Sequence, residues 1–280
     1  MKIITQNSRV KVIITYALLI AIAVLMVFPL LWLISTALKS PTENILQLPP
    51  QLLPKAPTLE NFINVWQNNP FGRYLWNSIL VAVMTVGLNL LFCALAAYPL
   101  ARLEFAGRDW IFIAIVATIM IPFQIVMIPL YILTTKLGLV NSYLGMIFPN
   151  LASAFGIFLL RQAMKGVPKE MEEAARMDGC SEIGLWWHIM LPAIYPALVT
   201  LGIFVFIGAW SDFLWPLIII QDDNLYTLTL GVNKLAGPFS GEDWRLRASG
   251  SVISIMPVLL LFLFLQRYIV PTESGSGVKG

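Results

Sequence analysis

Residues 169–192 read KEMEEAARMDGCSEIGLWWHIMLP, the longest charged interval in a 280-residue chain that is 58% hydrophobic. Counted from Arg161, four Lys/Arg and five Asp/Glu sit between two uncharged runs of membrane length. A link between membrane spans needs only a few solvated residues, so this much charge asks for a reason. Pro168 suits the first turn of a helix, where its missing N–H costs nothing. Glu170, Glu172 and Glu173 follow where negative charge meets the positive end of the helix dipole. Glu170 stacks with Ala174 and Glu173 with Met177 at i, i+4. Ala174 and Ala175 keep one side of the helix thin enough for a second protein surface to approach. Gly179 ends the helix, since it tolerates positive φ. Ser181 caps a second helix with Glu182 in its first turn. Leu185 and Ile189 pair on that helix, and Pro192 stops it at the mouth of the next apolar run. On this physics alone two readings stand level, a solvated loop with two caps or a handle shaped to be held.

The rest of the chain says where the interval lies. Mean hydropathy is +0.79, and charged residues make up 12% where a soluble domain carries about a quarter. The charges cluster, leaving uncharged stretches that meet the roughly 20 residues a membrane helix requires. This reading gives an all-α membrane protein with six transmembrane helices in one domain, spanning about 12–34, 74–101, 110–135, 143–160, 193–220 and 248–266. The charged loop occupies 161–192. The first span follows Lys2, Arg9 and Lys11 and is too long for a signal-peptide core, so it reads as an uncleaved anchor. Between Lys39 and Arg73 six prolines forbid one continuous helix. A short amphipathic helix with a cap at Thr58, and with Phe62, Val65 and Trp66 at helical spacing, is expected on the outer interface. Pro122 and Pro129 interrupt the third span.

Six spans place both termini on one side. That side carries eleven Lys/Arg against seven opposite, although the opposite loops are far longer. By the positive-inside rule the termini and the 161–192 loop are cytoplasmic. A net charge of +3 gives no reason to invoke nucleic acid. Cys93 and Cys180 are too far apart in topology to pair, and His188 has no ligand partner at metal spacing.

Glu173-Ala174-Ala175, three residues, Gly179, nine residues, Ile189, one residue, Leu191-Pro192 matches in full the E-A-A-x3-G-x9-I-x-L-P signature of bacterial ABC importer permeases. The similarity extends over nearly the whole chain and resembles the carbohydrate type, in particular the maltose-type second permease subunit. It is carried by Leu38-Lys39-Ser40 with Glu43, by Pro57-Thr58-Leu59-Glu60-Asn61-Phe62, and by Ile121-Pro122-Phe123-Gln124. It continues in Trp210-Ser211-Asp212-Phe213-Leu214-Trp215-Pro216, in Gln266-Arg267-Tyr268 and in the terminal Gly275-Ser-Gly-Val-Lys-Gly280. Pro271-Thr-Glu-Ser departs from the family's usual run.

The resemblance implies the type I ABC importer permease fold and a bacterial inner-membrane location. It also implies that the loop is a coupling helix docked in a groove of a separate ATPase subunit. Glu173 would pair with a basic residue there, and Ala174 and Gly179 would allow close packing. The implied partners are a second homologous permease, two ATPase subunits, an extracellular or periplasmic solute-binding protein and membrane lipid. ATP and Mg belong to the ATPases, so no cofactor and no catalysis are expected of this chain, which has no G-x4-G-K-[ST].

Asp212 is the one ionisable residue inside a membrane-length run, ~12 Å from the outer end of its span. A carboxylate there has to face protein or water. Pro216 cannot donate to the Asp212 carbonyl, so the helix is expected to open at that point. With Trp210 and Trp215 beside it, Asp212 reads either as a wall or gate of a sugar pathway or as a group that caps a kinked helix or bonds a neighbouring span. Gln124, Asn89 and Asn150 read as pathway groups or as interspan hydrogen-bonding groups. Alternatives to the sugar importer are a permease for a polyamine or glycerol-phosphate-like solute and a self-sufficient secondary transporter. The latter class places several ionisable groups at mid-membrane and shows internal repeats, and neither is visible here.

Overall fold

A computed structural model describes residues 4–45, 47, 51–235 and 244–269. Among these every regular element is a helix. The chain opens with α1, Ile4–Ala37, then a short α2, Glu60–Asn68, and a long α3, Phe71–Arg102. Next come α4, Arg108–Ala117, and α5, Phe123–Lys136, then α6, Tyr143–Ile147, and α7, Ala154–Lys165. The charged interval forms α8, Lys169–Met177, α9, Glu182–Leu185, a π turn over Trp186–Met190, and α10, Leu191–Ala193. It leads into α11, Tyr195–Ser211, α12, Leu214–Ile219, α13, Leu228–Lys234, and α14, Trp244–Ile269. Three helices are each long and apolar enough to cross a bilayer, and three bent pairs bring the number to as many as six. Helices satisfy their own backbone, which is why lipid-spanning segments take this form.

The bends at Pro122 and Asp212 fall where the sequence predicts a break, and those in the fourth run and at Ile194 do not. Pro122 pushes the residue before it out of the helical region, and Ile121 is extended at φ −87°, ψ 114°. The chain therefore turns by 104° between α4 and α5, whereas Pro129 is accommodated inside α5. The fourth run bends by 50°, because Ser153 starts a fresh helix by accepting the Gly156 N–H. Two expectations at the charged loop also shift. Pro168 is the residue before α8 rather than in its first turn. Pro192 does not stop the helix but lies within α10; the break falls at Ile194, ahead of Pro196, and turns the chain by 78°. The fifth run then opens again at Asp212 before α12.

The described residues fall in two compact units, one drawn from Met1–Phe71 and Val232–Met256, the other from Gly72–Gly231 and Pro257–Gly280. In the first, α1 has a window of mean hydropathy 2.9 with none of it buried, so lipid or another chain has to cover it. The loop after α1 is held by polar side chains. Lys39 is buried and donates to Gln51 O at 2.7 Å. Asn61 of α2 donates to the carbonyls of Ala37 and Lys39, each at 2.8 Å. Thr58 accepts from Glu60 N, but Leu59 is the residue that flanks α2. The cap thus lies one residue later than expected. Asn61 and Val65 are buried, while Leu59, Ile63 and Trp66 are exposed.

The second unit has two cores. One packs Ala94, Ala97 and Tyr98 of α3 against Leu160 and Met164 of α7, Trp186 and Met190 of the loop, Ile194 at the bend after α10, and Leu201 of α11. The other gathers Val81, Met146, Ile147, Trp215, Ile219 and Leu230. The terminal Gly275–Gly280 run and the Pro271–Ser274 departure lie outside the described residues.

Candidate functional site

The 169–192 loop is built from local rules. Glu170 and Glu172 occupy the first turn of α8 and Arg176 its last, matching the helix dipole at both ends. Gly179 sits at φ +79°. Its N–H bonds Arg176 O and the next N–H, of Cys180, bonds Ala175 O, each at 3.0 Å. That pairing is a Schellman closure, which glycine adopts without steric penalty. Ser181 Oγ then accepts the Gly184 N–H at 3.2 Å and starts α9.

The loop has an inner and an outer face. On the inner face Glu172 Oε1 lies 2.8 Å from Arg102 Nε, with the two side chains 9% and 5% exposed. Arg102 also donates to the Val167 carbonyl. Glu182, itself exposed, accepts from Tyr98 Oη at 2.7 Å and pairs at 2.9 Å with Arg176, also exposed. The indole of Trp186 donates to Ala94 O at 3.3 Å. On the outer face Glu173, Ala174 and Gly179 are exposed. Exposed with them are Met177, Ile183 and Trp187 at 89%, 79% and 57%, apolar surface of the kind that marks a protein contact. The signature therefore divides. Ala175, Ile189 and Leu191 are half-buried, Leu191 against the α3 core, whereas Pro192 is exposed.

The polar groups expected along the spans separate as well. Asn89 and Asp212 line one cleft of 290 Å³, together with Thr85, Asn150, Ser153 and Phe123. Asn89 is buried; its amide donates to Asn150 O at 2.9 Å, and its oxygen accepts from Ser153 Oγ at 3.5 Å. Asp212 Oδ1 accepts the Trp215 N–H at 3.4 Å, and its freed carbonyl accepts from Thr229 Oγ1 at 2.9 Å. The opening of the helix that Pro216 imposes is thus closed by side-chain groups. Trp215 is fully buried, donates to Gly145 O at 2.9 Å, and meets Phe123 edge to face. Trp210 is buried and stacks on Phe206. Gln124 is exposed outside the cleft. Thr85 and Ser153 join the cleft without any mark in the sequence. A hydroxyl in an apolar run carries little signal until its neighbour helix is known. No group of three His, Cys, Asp or Glu that could hold a metal occurs among the described residues.

Residues 89–274 match the family described as binding-protein-dependent transport system inner membrane component. The chain belongs to that family and is a multi-pass membrane permease of the ABC importer type. It is 37% identical to the arabinooligosaccharides transport system permease protein AraQ of Halalkalibacterium halodurans, over 92% of this chain and 93% of that one. It is 31% identical to the lactose transport system permease protein LacG of Rhizobium radiobacter, over 97% and 98%. Its fold matches a crystal structure of a bacterial ABC transporter involved in the import of the acidic polysaccharide alginate. The TM-score is 0.83 at 23% identity, covering 94% of this chain and 98% of that one.

Proposed function

We propose that this chain forms half of the translocation pathway of an ATP-driven importer for a sugar or oligosaccharide. A solute-binding protein outside the membrane delivers the sugar, and a second homologous permease supplies the other half. Two ATPase subunits carry the ATP and Mg, so this chain performs no catalysis. It lies in a bacterial cell membrane with both termini cytoplasmic, a placement supported by the Lys/Arg bias. The sugar class is supported by relatives named for arabinooligosaccharides and lactose.

The observation that carries this reading is the division of the loop. Glu173, Ala174 and Gly179 are offered outward from a base fixed by a buried ion pair. A loop that was merely solvated would need no such base. Glu173→Arg or Gly179→Asp is expected to leave the permease in the membrane and to abolish solute-stimulated ATP hydrolysis by the reconstituted complex. Unchanged stimulation and uptake in both variants would refute the coupling role. One observation favours a second solute class: among the described residues Asp212 is the only charged one that lines the cleft, which also suits a polyamine. Binding of neutral sugars, polyamines and glycerol phosphates to the cognate solute-binding protein separates the two.

A further inference from the structure

The loop that carries the signature is joined through the chain to α7 and α11, and both joints are irregular. The entry passes through Gly166 and Pro168. The exit runs through the π turn at Trp186–Met190 and the 78° bend at Ile194. Proline and π turns are where helices kink. A further attachment is lateral and goes to α3. Ala94, Tyr98 and Arg102 stand at successive i, i+4 positions, and each holds a different part of the loop. The Ala94 carbonyl takes the Trp186 indole, Tyr98 bonds Glu182, and Arg102 pairs with Glu172. Glu172 is the chain neighbour of Glu173, the residue presented outward. Separating a buried pair of this kind strands a charge away from water, so the contact resists being pulled apart.

We propose that α3 is the lever of this permease, moving as one body with the coupling loop, and that Arg102, Glu172 and Tyr98 are the positioning residues that join them. A stroke received at Glu173 then reaches Thr85 and Asn89, which line the polar cleft. Asn89 is about 20 Å along the same helix from Arg102 at 1.5 Å per residue. The inference rests on the reading of the loop as the ATPase contact.

The test uses the whole complex in proteoliposomes, with assembled permease quantified and solute uptake measured per ATP hydrolysed. A residue that only holds the fold changes the amount or thermal stability of the complex and leaves that ratio alone. Arg102→Met and Glu172→Gln are expected to lower the ratio by about fivefold or more, the lower end of typical coupling strengths. Arg102→Lys recovers part of it. Tyr98→Phe keeps the ring and its packing, loses the bond to Glu182, and lowers the ratio by less; it decides the matter if Arg102→Met fails to assemble. An unchanged ratio in every assembled variant overturns the lever. Glu173→Arg, run in parallel, separates the two failures. If it uncouples while the Arg102, Glu172 and Tyr98 variants do not, only the lever falls. If it also keeps the ratio, the ATPase-contact reading falls too.

Discussion

Glu43 orders the loop after α1 while remaining half-exposed. Its carboxylate accepts the N–H groups of Ala56 at 3.0 Å, Lys55 at 3.2 Å and Ser40 at 3.4 Å. The Ala56 N–H, above all, holds its pKa below the ordinary carboxylate value. A depressed folded-state pKa means that the tie is fully present above the unfolded value and is lost as pH falls through the folded one. Pepsin cleavage near the exposed Leu53 is therefore expected to quicken in the wild type below about pH 4. Glu43→Gln should remove that acid-dependent rise once pepsin's own pH profile is subtracted. An identical pH profile in the two proteins would refute the role. Arg102 and Glu172 show the limit of reading residues singly. In the sequence Arg102 belongs to a tight turn and Glu172 to a helix dipole. Nothing local announces that residues 70 apart share a buried contact at 2.8 Å.

At the scale of elements, the charged loop was the most legible part of the chain. Its punctuation is local: acidic first turn, glycine closure, serine cap. Each device acts within a few residues, so the sequence shows it directly. Gly179 makes this testable. At φ +79° it faces open space, with nothing within 4 Å of an added Cβ. Substitution there strains the backbone without a clash. Gly179→Asn is expected to keep most of the stability, since Asn tolerates this region, while Gly179→Val loses more than the ~1–2 kcal/mol typical of the left-handed conformation. Thermal unfolding of the purified permease in detergent orders the two, and equal midpoints would contradict the Schellman closure. Breaks were legible where proline forces them, as at Pro122. They were hidden at residues 151–153 and at Ile194, where capping and packing decide. The tryptophans beside Asp212 were legible as large groups but not as buried ones. Trp215 is fixed by Gly145 O, from a helix about 70 residues away in sequence.

For the whole molecule, composition alone indicated a helical membrane protein, and the charge bias supplied an orientation. The orientation is testable with the chain's own thiols. Cys180 is half-exposed in the loop and Cys93 is fully buried. In cells expressing the permease without its ATPases, a membrane-impermeant maleimide is expected to label Cys180 in inverted vesicles only. Labelling from intact cells would reverse the topology. On the proposed function, this chain receives its driving force at residues 173–179. The most direct measurement compares solute-stimulated ATP hydrolysis by the reconstituted importer with wild-type permease and with Glu173→Arg. Equal membrane assembly and loss of the stimulation are expected in the variant. Full stimulation by the Glu173→Arg complex would contradict the proposed function.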